Sequence, residues 1–190
     1  MTERIQAGID VADLGCGQGH AINVLAAAFP ASRFTGFDFS TEAIAEARSE
    51  ALRLGVSNAH FEVCDVTTLP EEARFDLVTA FDAIHDQAHP SVVLTNIVRA
   101  LLPGGVFVMQ DIKASSKVEE NTELPRAALL YAISTTHCMS VSLGLGGDGL
   151  GTVWGEQLAV GMLKAAGFTT VEVEQIGIDP FNNYYVARKA

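Results

Sequence analysis

The sequence predicts a doubly wound α/β domain, and three observations carry that prediction. Short apolar runs alternate with helical patterns from Ile9 to Ile112. Glycine or proline punctuates most of the junctions. The last two strand-like runs, near the C-terminus, are joined by a link too short for a crossover.

Residues 2–8, "TERIQAG", read as a last helical turn stopped by a glycine one position beyond it. "IDVADL", residues 9–14, is a short buried strand. A helix follows over residues 20–29, with Ile22, Leu25, Ala26 and Phe29 at helical spacing and Pro30 ending it. "RFTGFDF" is the second strand. Ser40 suits the N-cap of the next helix, and Glu42 falls in its first turn, where the helix dipole favours negative charge. That helix runs through Ile44, Ala47, Ala51 and Leu54 to Gly55.

"AHFEVCDV" reads as a third strand and "RFDLVTAF" as a fourth. A helix over residues 90–102 is closed by "PGG", and residues 105–112 form a fifth strand. Apolar strands separated by helices call for a parallel sheet covered on both faces. Right-handed crossovers wind it in both directions, which puts a ligand crevice at the carboxyl ends of the strands.

The rhythm breaks at about residues 113–152. This stretch is polar at first, then helical from about Pro125 to Met139, then glycine-rich in "LGLGGDGLG". It reads as an insertion within a single domain spanning residues 1–190, with residues 119–152 as a cover over the substrate. A helix resumes over residues 154–166 and stops at Gly167. "TTVEVEQI" and "NNYYVARK" then flank "GIDPF" and form an antiparallel hairpin on the sheet edge.

Composition narrows the function. A chain of 190 residues, 48% hydrophobic, builds one domain with a substantial core. No run nears the ~18 apolar residues of a membrane helix, and the N-terminus lacks a secretory apolar core, so no membrane association is expected. Cys16, Cys64 and Cys138 lie far apart without metal-knuckle spacing, which points to reduced thiols and a cytoplasmic location. A net charge of −11 opposes the basic footprint of a nucleic-acid binder. A small-molecule partner is expected, no direct nucleic-acid contact, and a homodimer is admitted.

"VADLGCGQGH" holds the most informative spacing. A phosphate-binding Walker loop needs Lys followed by Ser or Thr after its last glycine, and this chain has His20 and Ala21. A nicotinamide-type fingerprint needs a third glycine where His20 stands. What remains is G-x-G-x-G preceded by Asp13, which fits either a tight structural turn or close approach of another nucleoside ligand. Asp38, at the end of the second strand, is placed to accept hydrogen bonds from two ribose hydroxyls, though alone it would also serve as a helix-approach cap. Asp65, at the end of the third strand, adds an acceptor suited to an adenine amino group. Three such features at consecutive strand ends line one crevice.

"DLGCGQG", "GFDFS", "CDVTTLP", "FDLVTAFDAIHD" and "LLPGGVFVMQD" resemble, in order, the motifs of class I S-adenosylmethionine-dependent methyltransferases. The resemblance covers nearly the whole chain. It implies a Rossmann-like, three-layer α/β/α fold with a seven-stranded sheet of order 3-2-1-4-5-7-6, the last strand antiparallel. It further implies that Gly15, Cys16, Gly17 and Gly19 border the methionine part of the cofactor, with Asp13 beside them. Asp38 would bind the ribose, Phe39 would lie against the adenine, and Asp65 and Val66 would meet its polar edge. Phe81 would line the methionine end. "AIHDQ" and "GLGTVWGEQ" are similar to a narrower group that carries a winged-helix domain ahead of this one, so a longer parent chain with such a domain is expected.

Methyl transfer is an in-line displacement in which the cofactor supplies the electrophile and the protein supplies alignment. Positioning alone contributes on the order of 7–11 kcal/mol, so no catalytic side chain is obligatory. His85, after the fourth strand, is the candidate general base; its competing role is a packed or hydrogen-bonded histidine at the pocket. A metal reading of His85, Asp86 and His89 is disfavoured because Pro90 opposes helix at His89, and no metal is expected. Trp154 and Glu156 are candidate acceptor-pocket residues, together with Tyr131 and His137. The acceptor is expected to be a small molecule: the Asn/Asp-Pro-Pro-aromatic motif of amino-methylating nucleic-acid enzymes is absent after the fourth strand, and so is a nucleophilic Pro-Cys. The alternative is a cofactor-binding regulatory or sensor module that transfers nothing.

Overall fold

The computed structural model describes residues 1–70 and 72–190. Seven strands form one sheet in the order β3-β2-β1-β4-β5-β7-β6. They are β1 (Asp10–Leu14), β2 (Arg33–Asp38), β3 (Ala59–Val63), β4 (Phe75–Phe81), β5 (Leu101–Ile112), β6 (Thr170–Glu174) and β7 (Asn182–Arg188). The first five are parallel, and β7 runs antiparallel to both β5 and β6. The class, strand order and terminal hairpin predicted from the sequence all stand.

The helices are α1 (Thr2–Ala7), α2 (His20–Ala28), α3 (Thr41–Leu54), α4 (Pro90–Ala100), α5 (Ala127–Ile133), α6 (Met139–Gly144) and α7 (Glu156–Ala166). Strand alternation sends successive side chains to opposite faces, and each face has its own core. Val11, Phe34 and Leu77 pack with Ile22 and Ile44 on one side, while Leu14, Phe37, Val78 and Phe107 pack with Leu94 and Leu163 on the other. Capping follows the sequence as well. The Ser40 hydroxyl accepts from the Ala43 N–H at 3.1 Å, and Gly55 closes α3 at φ 67°.

Four boundaries differ from the sequence reading. Helix α4 stops at Ala100 and β5 starts at Leu101, so "PGG" lies inside the strand, where the pairing slips between Phe75 and Leu77. The positive φ of Gly104, 71°, accommodates that irregularity. Strand β3 ends at Val63, because Asp65 turns to cap a short 3-10 turn, Val66–Thr68. The insertion helix continues past Met139 to Gly144 through a π-helical turn, Ser134–Cys138. Trp154 precedes α7 and does not begin it; Gly155, at φ 82°, separates the two. A Cβ on Gly155 would lie 2.1 Å from the Ser116 nitrogen, so only glycine lets these segments touch.

Candidate active site

The glycine loop leaves β1 and folds over the end of β2. The N–H groups of Gly15 and Cys16 both donate to the Phe37 carbonyl, at 2.8 and 3.0 Å. All three glycines have positive φ, 70° at Gly15, 52° at Gly17 and 72° at Gly19, where a side chain is strained. Their surroundings separate them. A Cβ on Gly15 would lie 2.7 Å from the Ala83 methyl, and one on Gly19 would lie 2.4 Å from the Phe61 ring. A Cβ on Gly17 would meet nothing within 4 Å. Two of the glycines therefore serve packing, and the middle one keeps a space open.

Asp38 ties this loop to the next helix. Its carboxylate accepts the Gly17 N–H at 2.9 Å and the Ser40 N–H at 2.9 Å. Beneath the loop, Asp13 is fully buried and accepts the Thr79 hydroxyl at 2.7 Å. Burial pushes its carboxyl up to about 7; the Thr79 hydrogen bond opposes this, and the neighbouring Asp38 charge adds to it. The Cys16 thiol is likewise pushed upward, by burial and then by Asp13 and Asp38, and it packs against Gly36, where a Cβ would come within 2.8 Å of the sulfur.

A cavity of about 590 Å³ opens at the carboxyl ends of these strands, within the range of small-molecule sites. Gly15, Asp38, Phe39, Asp65 and Val66 line one side of it. Asp65 accepts both the Thr67 N–H and the Thr67 hydroxyl on one oxygen, at 2.9 and 2.7 Å. Phe39 is 70% exposed, a large aromatic face offered to the crevice. The opposite side carries Asp86, Gln87 and His89 from the segment after β4, with His137, Val141 and Leu145 from the insertion.

The insertion docks closely onto that segment. The Asp148 N–H donates to the Ala88 carbonyl at 2.8 Å, and the Ser142 hydroxyl donates to the Gln87 carbonyl at 3.0 Å. A Cβ on Gly147 would fall 2.3 Å from the Ala88 oxygen. The glycines of "LGLGGDGLG" thus permit close backbone approach.

His85 lies behind the cavity wall, 1% exposed. Its Nδ1 faces the buried Asp111 carboxylate at 2.9 and 3.1 Å. Its Nε2 faces Asp86 Oδ1 at 3.3 Å and the Thr152 hydroxyl at 3.5 Å. That hydroxyl is 2.8 Å from the Cys138 sulfur. Burial lowers the imidazole's proton affinity, but the Asp111 hydrogen bond and charge, with Asp86 and Asp82, outweigh it and bring His85 to about 9.

The structure therefore gathers Gly15, Asp38, Phe39, Asp65, Val66 and His137 around one cavity, with Asp13, Cys16, Gly17 and Gly19 supporting the loop. Phe81 is half-buried at the end of β4 and is not part of the lining. Three acceptor-pocket expectations are corrected. Trp154 is buried in the apolar cluster that holds Ile84, Met109 and Ala159, since its large ring is worth more there. The Glu156 carboxylate accepts the Asn183 amide at 2.9 Å, and the Asn121 amide donates to the Tyr131 hydroxyl at 2.9 Å; none of the three lines the cavity. Sequence reasoning missed Val141 and Leu145, whose four-residue spacing across the end of the insertion helix was the available signal. It also missed Asp111, which only the β4–β5 pairing brings to His85.

A nucleoside-sized crevice with acidic residues at successive strand ends, on a sheet whose seventh strand is antiparallel, defines the class I S-adenosylmethionine-dependent methyltransferases. Residues 5–167 match the methyltransferase domain family, described as "Methyltransferase domain", and the chain belongs to it. It is 31% identical over 125 residues to a trans-aconitate 2-methyltransferase of Variovorax paradoxus (strain S110), covering 65% of this chain and 44% of that protein. It is 30% identical over 114 residues to a fatty-acid O-methyltransferase of Mycolicibacterium smegmatis, covering 60% and 40%. The aligned parts thus span less than half of these relatives. Among solved structures, a SAM-dependent methyltransferase from Aquifex aeolicus superposes with a TM-score of 0.72 at 17% identity, over 98% of this chain and 85% of that one. An O-methyltransferase family protein from Burkholderia thailandensis gives 0.73 at 16%, over 95% and 51%. These likenesses speak to the fold.

The residues present fit the cofactor of this class. The open space before Gly17, the carboxylates of Asp38 and Asp65 and the exposed face of Phe39 match an amino acid, a ribose and an adenine in that order. Among the described residues no helix is long and apolar enough to cross a membrane.

Proposed function

We propose that the protein transfers a methyl group from S-adenosylmethionine to a small-molecule acceptor held between the strand ends and the insertion. One observation carries this reading: a single cavity has nucleoside-type groups on one side and a separate lining of Asp86, His89, His137, Val141 and Leu145 on the other. Bound there, the cofactor supplies an electrophilic methyl group. Asp38 would accept the ribose hydroxyls, Asp65 and Val66 would meet the adenine edge, and Gly17 would leave room for the methionine part. Val141 and Leu145 would exclude water and hold an apolar portion of the acceptor.

His85 does not line the cavity. In this reading it is a positioning residue, set by Asp111 and holding Asp86 at the wall. The trans-aconitate and fatty-acid relatives are named for carboxylate acceptors. Here the described lining holds no lysine or arginine, only His89 and His137 as candidate cations. That favours a neutral, partly apolar acceptor over a polycarboxylate, which would need a cationic clamp. The cysteines form no disulfide among the described residues, which fits a cytoplasmic setting, and the net charge of −11 fits a protein that works away from nucleic acid.

The test is release of S-adenosylhomocysteine across a panel of neutral and carboxylate small molecules. Turnover with a neutral acceptor supports the reading. Tight cofactor binding with no turnover on any acceptor would favour the sensor alternative.

A further inference from the structure

We propose that His85, Asp86 and Cys138 form a site for a single zinc-type divalent cation at the acceptor end of the cavity. The ligand atoms of these three residues all lie within 4.8 Å of one another. The Nε2 of His85 and Oδ1 of Asp86 are 3.3 Å apart. Tetrahedral zinc with bonds of ~2.0–2.3 Å sets its ligands about 3.3–3.8 Å from each other, so this edge needs no adjustment and the others, within 4.8 Å, need close by at most ~1.5 Å.

The surroundings select this arrangement. Asp111 engages Nδ1 of His85 at 2.9 Å, which fixes the ring and directs Nε2 toward Asp86 and Cys138. A carboxylate behind the imidazole is the usual outer support of a metal-bound histidine. Asp86 Oδ1 is buried, with the His85 imidazole at 3.3 Å and the Cys138 thiol as its neighbours. A cation between this carboxylate, the imidazole and the thiolate would take the place of the protons that these groups now share. The Thr152 hydroxyl, 2.8 Å from the Cys138 sulfur, borders the fourth position.

The sequence offers His89 as a third ligand, but the fold half-exposes it, 3.9 Å from Asp148. The π-helical turn Ser134–Cys138 brings a buried Cys138 in its place. A grouping of Asp82, His85 and Asp111 is also close enough, but there Asp111 already meets Nδ1 directly. The donor set of nitrogen, sulfur and one carboxylate oxygen suits zinc or cobalt over magnesium or calcium. Binding displaces two protons to solvent, one from the Cys138 thiol and one from Nε2 of His85. Because Asp86 also lines the cavity, the cation would face whatever enters there. The site stands on its own, whether or not methyl transfer occurs.

Tag-free full chain is titrated with zinc chloride by calorimetry and with cobalt(II) chloride by absorbance. The expected result is one saturable equivalent and a thiolate-to-cobalt charge-transfer band. Cys138→Ser abolishes the band, Asp86→Asn weakens binding at least ~10-fold, and Asp111→Asn weakens it ~10–100-fold through the imidazole; Cys64→Ser leaves it unchanged. Circular dichroism checks that each variant is folded. If Cys138→Ser does not fold, X-ray absorption on the cobalt-loaded wild type decides, with one sulfur neighbour expected. No saturable binding, no sulfur in the metal's coordination, or wild-type binding in folded Cys138→Ser would overturn the proposal.

Discussion

Replacing Asp13 with asparagine removes a carboxylate that the fold shields completely while leaving the Thr79 hydroxyl an acceptor. The folded carboxyl sits at about 7 against an ordinary 3.8. Between those values the folded chain keeps a proton that the unfolded chain has lost. The folded state then binds more protons, so stability falls as pH rises through this window. The penalty is absent below the unfolded value and complete above about 7, where it amounts to about 4 kcal/mol. Asparagine cannot ionise and carries no such slope. Urea denaturation of wild type and Asp13→Asn from about pH 5 to about pH 8 reads the difference directly. Wild type should lose roughly 3 kcal/mol more than the variant over that range, since every other titration is common to both and cancels. S-adenosylmethionine brings a sulfonium and an ammonium, which favour ionised Asp13. Its affinity should therefore rise with pH across the same window in wild type and not in the variant. Parallel stability profiles for the two proteins would refute the reasoning.

Gly17→Ala and Gly19→Ala should fail differently. The first meets no atom within 4 Å, so thermal melting should show only the ~1–2 kcal/mol of left-handed backbone strain, while calorimetry shows loss of S-adenosylhomocysteine binding. The second drives a methyl to 2.4 Å from Phe61 and should cost ~1–3 kcal/mol of overpacking beyond that strain, visible as a lowered melting temperature. Trp154→Ala should lose ~3–5 kcal/mol in denaturant titration with no change in acceptor preference, as a core residue does. His85→Gln, tested with an active acceptor, should raise KM through a displaced Asp86 more than it lowers kcat; an equal fall in kcat and kcat/KM would place His85 on the reacting atoms instead.

Local chemistry made much of this molecule legible from its residues. Ser40 begins a helix, and Gly55 and Gly167 end theirs, where the sequence puts them, and the apolar runs of β1, β2, β4 and β5 yield the doubly wound sheet. Gly15, Asp38 and Asp65 could be read as one crevice because parallel topology alone aligns successive strand ends. What escaped depends on long-range packing. His85 pairs with Asp111 across 26 positions, and no local pattern announces that pairing. Trp154 looked like a pocket aromatic beside a glycine loop, yet the free energy of burying its ring places it in the core. The insertion resisted most, because whether His137 or Tyr131 faces the cavity depends on the widened π-helical turn, which a 3.6-residue periodicity cannot foresee.

The central claim, that the crevice of Asp38 and Asp65 is an S-adenosylmethionine site, is tested most directly by titrating S-adenosylhomocysteine into wild type and Asp38→Ala. Loss of two charge-assisted hydrogen bonds at ~1.5–3 kcal/mol each predicts binding at least ~100-fold weaker in the variant, with the fold retained by circular dichroism. Saturable one-to-one binding in wild type, lost on that substitution, is the predicted result. No binding in wild type, or equal binding in both proteins, would contradict it.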